Sequence, residues 1–374
     1  MKILIFSVAY HPFLGGAEVA VKEITNRLTD IEFHMLTVNI DGKQKKEEKI
    51  GNVHVYRIGT GYIGKLLFPF FGAWHARKIH KKENFDATWS IMANYAGFAA
   101  LFFKYLEPKV PFFLTLQEGD PIAYIKRHVW FVYPFFVDIF RRADKIQSIS
   151  NYLAHFAESM KIRVPVHVIP NGVDVSLFTQ NFSPNDLEAV AKKVGKNPGD
   201  KFLVTTSRLV AKNGLGDVIA ALPNLPAHIK FLILGVGELE LKLRKQARDL
   251  GVSDRVIFAG FVSYGEIPKY LKISDIFIRP SISEGMGNSF IEAMATGLPV
   301  IATPVGGIPD FLNDSETGLF CEVKNPKSIA EKVEQILNNP DQTAQMVKNA
   351  QASVIEKYDW NLVAKEMRKA VFSV

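Results

Sequence analysis

Short apolar runs separated by amphipathic stretches recur along nearly the whole chain. The first covers residues 2–7, and others fall at 33–38, 53–57, 87–90, 111–116, 144–149 and 166–169. After a polar interval a second series begins, at 202–206, 229–234, 255–258, 275–278, 299–302 and 318–321. Apolar runs this short, bounded by turn residues, predict strands. Stretches with helical spacing lie between several of them; Val19, Val21, Ile24 and Leu28, behind the first run, form one. Strand–helix alternation predicts parallel, doubly wound sheets, and the two series predict two successive α/β halves. Residues 179–200 are polar, charged and rich in Asn, Pro and Gly, as a linker would be. The expected organisation is therefore a first domain over 1–178, a linker region over 179–200 and a second domain over 201–356, closed by helices that include Tyr358-Asp-Trp360.

Two stretches break the alternation. Residues 65–82 and 124–142 each combine clustered aromatics with Lys and Arg. Aromatics at helical spacing are most often core residues, and that reading is favoured here. The same composition also suits a helix lying in a membrane interface.

Composition narrows the class. A chain of 374 residues with 48% hydrophobic and 22% charged residues is an ordinary globular one, long enough for two cores. Its single cysteine, Cys321, rules out an internal disulfide framework and favours a reducing, cytoplasmic setting. The opening apolar run is too short for a signal-peptide core, and no run reaches bilayer-spanning length. The net charge of +7 is uneven: residues 1–172 hold 22 Lys and Arg against 15 Asp and Glu, and the remainder 23 against 23. Seventeen of the 28 Phe lie in the same first part. A basic, aromatic surface there suits nucleic acid, an anionic membrane or an anionic substrate; of these, nucleic acid is not among the partners finally expected.

Candidate chemistry gathers at strand ends. Residues 279–303 read as a strand end, a glycine-broken loop, a helix and a further strand. Gly285 and Gly287 permit unusual backbone conformations, and Asn288 or Ser289 would cap the helix, whose free N–H groups suit a phosphate. Glu284 and Glu292 bracket that helix start. By spacing alone, Asn288, Glu292 and Thr296 form an ordinary solvated stripe. Arg208 and Lys212 follow a strand and would suit a diphosphate. Gly235-Val-Gly237 and Gly306-Gly307 follow later strands, and Gly15-Gly16 follows the first. The nine histidines lack metal-ligand spacing, so no metal site is expected. Loss of a phosphate leaving group without a metal calls for fixed cations and a helix N-terminus, and both are present.

These residues resemble a known family. The run from Glu284 to Glu292 looks like the Glu-x7-Glu motif of retaining glycosyltransferases of family 4, and residues 293–307 continue the likeness. Gly15-Gly16, residues 168–174 with Phe178, Ser207-Arg-Leu-Val210, residues 235–238, and Asp275 with Pro280-Ser281 extend it over nearly the whole chain. The resemblance implies a GT-B architecture: two Rossmann-like α/β domains with parallel sheets facing across a cleft, donor nucleotide on the second, acceptor on the first. It implies that the last helix, about 357–374, packs back on the first domain. Glu292 would then hold the ribose hydroxyls and Glu284 would sit by the donor sugar. The amides of Met286, Gly287, Asn288 and Ser289 would meet sugar and diphosphate, with Gly235 and Asn171 also donor-side. Arg208 would neutralise the diphosphate, and Gly16 would reach it from the opposite domain. Two departures stand out. Gln117 replaces a common histidine that bonds the reacting sugar, and Asn213 replaces a common lysine, with Lys212 one place earlier.

The expected activity is metal- and cofactor-independent, retaining transfer from a nucleoside diphosphate sugar, UDP-sugar favoured, to a glycan or lipid-linked hydroxyl acceptor. The catalytic group would comprise Glu284, Arg208, Lys212 and Gln117, in a cytoplasmic protein with peripheral contact to the inner membrane face. The rivals are a nucleotide-sugar-binding protein without catalysis and a GT-B-like nucleotide-sugar epimerase.

Overall fold

The computed structural model describes residues 1–13 and 15–373. The chain divides into two compact units, residues 1–171 together with the segment from Trp360 onward, and residues 172–359. In the first, strands β1 (Lys2–Phe6), β2 (Glu32–Asn39), β3 (Glu47–Ile50), β4 (Val53–Thr60), β5 (Ala87–Ile91), β6 (Phe112–Leu116), β7 (Lys145–Ser148) and β8 (Val166–Val168) form one sheet. Its order is β3-β4-β2-β1-β5-β6-β7-β8. Every pairing is parallel except β3 with β4. The central strands are covered on both faces, which is why they read as unbroken apolar runs. Strand β3, Glu-Glu-Lys-Ile, escaped the pattern because it is a charged edge strand with no buried residue.

Helices α1 (Gly16–Arg27), α2 (Gly61–Glu83), α3 (Tyr95–Leu106), α4 (Ile122–His128), α5 (Tyr133–Arg142) and α6 (Asn151–Glu158) complete this part of the unit. The aromatic-basic stretches fall on α2 and on α4 to α5, and the expectation that they are plain core is corrected. Phe68, Gly72, Ala73 and Ala76 of α2 are buried, but Tyr62, Ile63, Phe70 and Trp74 are 75, 70, 64 and 57% exposed. Trp130 and Phe131, between α4 and α5, are 74 and 68% exposed. Phe102 of α3 joins the two stretches, its ring centroid 5.2 Å from Phe70 and 6.2 Å from Phe135. No helix among the described residues is long and apolar enough to cross a membrane.

The second unit carries β9 (Lys201–Thr206), β10 (Ile229–Leu234), β11 (Val256–Gly260), β12 (Ile276–Arg279), β13 (Val300–Ala302) and β14 (Leu319–Phe320). They form a parallel sheet in the order β11-β10-β9-β12-β13-β14. Its helices are α7 (Val175–Thr179), α8 (Pro184–Lys193), α9 (Leu215–Ala221), α10 (Glu240–Asp249), α11 (Ile267–Lys272), α12 (Asn288–Thr296), α13 (Pro326–Asn338) and α14 (Pro340–Lys357). The unit begins at Gly172 rather than after 178, because Phe178 is fully buried with its ring 5.5 Å from Tyr264. The expected linker is also not a free segment. Ser183 caps α8, which packs on α11, and Lys193 lies over the Tyr270 ring.

The last helix, α15 (Trp360–Ala370), packs against α1 of the first unit. Trp360, Val363, Met367 and Phe372 enter the core formed by Ile3, Ile5, Val21, Phe33 and Trp89. The Phe372 ring lies 5.0 Å from Trp89 and 6.0 Å from Phe33.

Candidate active site

Parallel pairing brings the carboxyl ends of β9, β10, β12 and β13 to one edge of the second unit, the edge where open α/β sheets bind ligands. Ser207 and Arg208 leave β9 there, Gly235 leaves β10, and the loop to α12 leaves β12. The backbone sets close approaches between these loops. Gly235 adopts φ +145°, and a Cβ on it would lie 1.9 Å from the Ser207 carbonyl oxygen. Gly306 adopts φ +58°, and a Cβ there would lie 1.7 Å from the Glu284 carbonyl oxygen. Both positions admit only glycine. The Lys212 carbonyl accepts from the Ile282 amide at 2.7 Å, tying the Arg208 loop to the Glu284 loop.

Arg208 is exposed on this edge and Lys212 half-buried. Asn213 is buried, and its side-chain nitrogen donates to the Arg208 carbonyl at 2.7 Å. That bond makes Asn213 a brace of the loop that carries Arg208. Gly235 likewise serves loop packing.

The start of α12 also differs from expectation. Neither Asn288 nor Ser289 is its cap. Gly287 holds that position at φ +97°, with no side-chain capping bond. Ser289 instead accepts from Arg279 Nη1 at 2.7 Å, and Arg279 Nη2 donates to Glu284 Oε2, also at 2.7 Å. The guanidinium lies over the Phe290 ring, 4.3 Å from its centroid. Burial pushes the Arg279 pKa down, opposed by Glu284 and Glu292. Sequence reasoning placed Arg279 only as the end of a strand. The available signal was an arginine closing the buried run Ile-Phe-Ile.

Glu292 overturns the solvated-stripe reading. It is 8% exposed, on a helix whose residues 289–296 are all buried. Burial pushes its pKa up to about 7, with Arg279 opposing. Nearby strand ends add hydroxyls. Thr205, Thr206, Ser207 and Ser281 have buried side-chain oxygens without a hydrogen-bond partner among the described residues, a cost that burial imposes unless a ligand or water meets them. Met286 is buried at the same loop.

The first unit has its own carboxyl edge. Gly16 is the first residue of α1, exposed, and the preceding Gly15 amide donates to Glu18 Oε2 at 2.7 Å. Gln117, at the end of β6, and Asn171 exchange two side-chain hydrogen bonds of 3.2 Å, each carboxamide nitrogen donating to the other's oxygen. Both are buried. Next to Gln117, and absent from the expected site residues, Glu118 Oε1 accepts from the Ala93 amide at 2.7 Å. Its Oε2 is buried without a hydrogen-bond partner among the described residues. Burial raises its pKa to about 7.

The expected site residues thus fall into two groups, Gly16, Gln117 and Asn171 on the first unit and the rest on the second. The structure also gathers Glu32, His34 and Glu83 with ligand atoms within 4.8 Å of one another. They lie at the amino end of the first sheet, where the Lys2 ammonium sits 2.9 Å from Glu83 and 3.7 Å from Glu32 and already supplies the cation.

Comparison with known proteins matches two family descriptions. Residues 14–177 match "Glycosyltransferase Family 4" and residues 186–353 match "Glycosyl transferases group 1". Two uncharacterised glycosyltransferases of Methanocaldococcus jannaschii are similar. One is 34% identical over 54% of this chain and 52% of its own length, the other 28% over 99% and 97%. A GDP-mannose-dependent α-(1-6)-phosphatidylinositol monomannoside mannosyltransferase of Mycobacterium tuberculosis is 28% identical over 64% of this chain and 65% of its own. The fold is that of a solved Anabaena protein in complex with UDP-glucose, at TM-score 0.84 and 20% identity over the full length of both chains. Such neighbours, which include a glycosyltransferase of lipopolysaccharide biosynthesis at TM-score 0.77, identify the two parallel-sheet units as GT-B.

Proposed function

The chain belongs to the group 1 and family 4 glycosyltransferases, and we propose that it moves a sugar from a nucleoside diphosphate sugar, UDP-sugar favoured, to a hydroxyl acceptor with retention at the anomeric carbon. The observation that carries this reading is the carboxyl edge of the second unit. There Arg208 and Lys212 sit on a loop bonded to the Glu284 loop, which ends at the glycine-capped start of α12. Two cations and a helix N-terminus without a side-chain capping bond suit a diphosphate. The bond from the anomeric carbon to the phosphate oxygen breaks as the acceptor oxygen approaches the same face, and the acceptor proton passes to that phosphate oxygen. Arg208, Lys212 and the amides of residues 286–289 stabilise the charge that grows on the leaving group. Glu292 takes the ribose hydroxyls, and Glu284 contacts the donor sugar while Arg279 fixes its carboxylate. No metal is assigned a role.

The Anabaena complex with UDP-glucose favours uridine, while the mycobacterial relative is named for GDP-mannose, so the donor panel includes both bases. On the acceptor side, the exposed aromatic-basic face of the first unit and that relative's phosphatidylinositol acceptor support a lipid-linked glycan, met by a cytoplasmic protein at the inner membrane face.

Purified protein is incubated with UDP- and GDP-sugars, and slow donor hydrolysis is followed with and without acceptor lipids. Arg208→Ala is expected to lower the rate by about 10²-fold or more; an unchanged rate removes the assignment. Thermal stabilisation by UDP with no turnover on any donor would turn the reading to a nucleotide-sugar-binding protein, and acceptor-free interconversion of UDP-sugars to an epimerase.

A further inference from the structure

Over its first three turns α2 carries one charge, Lys65, and is otherwise apolar apart from the Tyr62 hydroxyl. A helix of that kind is normally covered all round. Its inner face is covered, since it packs on α3, β2 and β4, but its outer face is at the surface. Beside the first turn that face opens into a groove of about 720 Å³, within the range of small-molecule sites. Ile58, Ile63, Leu67, Phe68 and Phe71 wall it, and His75 is its one ionisable side chain other than a tyrosine. The backbone explains the shape. A Cβ on Gly59 or on Gly64 would come within 2.8 Å of the other's backbone, so the helix start lies hard against the end of β4 and leaves the space beside it unfilled.

The surroundings fix the occupant's chemistry. Lys65, Arg77, Lys78, Lys81 and Lys82 stand on α2, whose own acidic residue is Glu83; Arg77 is paired with Glu107 of the α3 end, which leaves the face basic, while the groove wall is hydrocarbon. Aromatics continue from it across exposed Phe70 and half-buried Phe102 to exposed Phe135, with Arg141 and Arg142 close by in sequence on α5 and Arg142 paired with Asp138. An apolar slot within a basic, aromatic face matches a long hydrocarbon chain with an anionic head. The slot also lies at the carboxyl end of β4. Because β4, β2, β1, β5 and β6 run parallel, that is the same edge of the sheet as Gly16 and Gln117.

We propose that this groove holds the hydrocarbon chain of a phosphate-bearing lipid, the carrier of the acceptor glycan. The proposal rests on the lipid-linked reading of the acceptor given above and adds to it a site and a ligand class.

Alkyl phosphates from hexyl to dodecyl, each kept below its micelle concentration, are titrated into the full chain by calorimetry. Binding is expected to be saturable and to tighten roughly fourfold per added CH₂, the equivalent of about 0.8 kcal/mol, until the groove is filled. Leu67→Trp, which fills the slot, and Ile63→Ser, which strips one wall, are each expected to weaken dodecyl phosphate at least tenfold. Both side chains are partly exposed, so the variants are expected to keep the wild-type melting temperature. Affinity independent of chain length, affinity unchanged in both variants, or association only above the micelle concentration would each overturn the proposal. Donor hydrolysis by wild type and Arg208→Ala needs no lipid, so failure of the groove and failure of the transferase reading show up in separate measurements.

Discussion

Two buried glutamates give the chain a stability that depends on pH. Glu118 and Glu292 both have pKa values raised from 4.5 to about 7, chiefly by burial. A carboxyl with a raised folded pKa binds its proton more tightly in the native state. Its contribution is therefore complete below about pH 4.5 and is lost as pH climbs towards 7. For Glu292 the difference is on the order of 3 kcal/mol. Between pH 5 and 8 the wild-type unfolding free energy is expected to fall more steeply than that of Glu292→Gln, measured by urea denaturation; equal slopes would place Glu292 in a wetter setting than its burial shows. Arg279 makes a related point. Its strand was legible in the apolar run before it, yet its bonds to Glu284 and Ser289 were not, because a helical or strand period assigns a face and says nothing of partners from another loop.

Elements were the most readable level. The thirteen parallel strands among the described residues follow from short apolar runs, since burial on both faces leaves little room for polar residues in them. The charged edge strand β3 has no such constraint and no such signal. Helix α12 failed in the opposite sense. Its i, i+4 polar positions looked solvated, but α7, α11 and α14 pack around it and bury both faces. The loop before it was recognisable by Gly285 and Gly287, and the structure distinguishes the tasks of two glycines that follow the helix. Gly297 and Gly306 both have positive φ, at +85° and +58°, but a Cβ on Gly297 meets nothing nearer than 3.7 Å. Gly297→Ala is expected to cost about 1 kcal/mol from backbone strain alone. Gly306→Ala adds the clash with the Glu284 carbonyl, so it should destabilise further and weaken UDP in a thermal-shift titration, where Gly297→Ala binds as wild type. Equal nucleotide binding in the two would detach the Glu284 loop from the donor.

For the whole molecule, the two-half pattern in the sequence located both sheets, but the unit boundaries moved. Residues 172–178 belong with the second unit because Phe178 is buried there, and a polar composition over 179–200 concealed a capped helix docked on α11. The segment from Trp360 goes the other way, into the first unit's core. Phe372→Ala is expected to cost about 3–5 kcal/mol by opening a cavity among Phe33, Trp89 and Phe113, read by chemical denaturation; a loss under 1 kcal/mol would mean that Phe372 is peripheral. That returning segment also sets a schedule for synthesis. When a ribosome has made residues 1–171, the first unit still lacks Trp360 and Phe372, and 188 residues of the second unit must be translated before they arrive. At ordinary elongation rates this interval lasts roughly 10–40 s. The unit begun first is thus the one completed last, and its incomplete apolar core must wait, exposed to chaperones and proteases, while the unit made second needs no later segment.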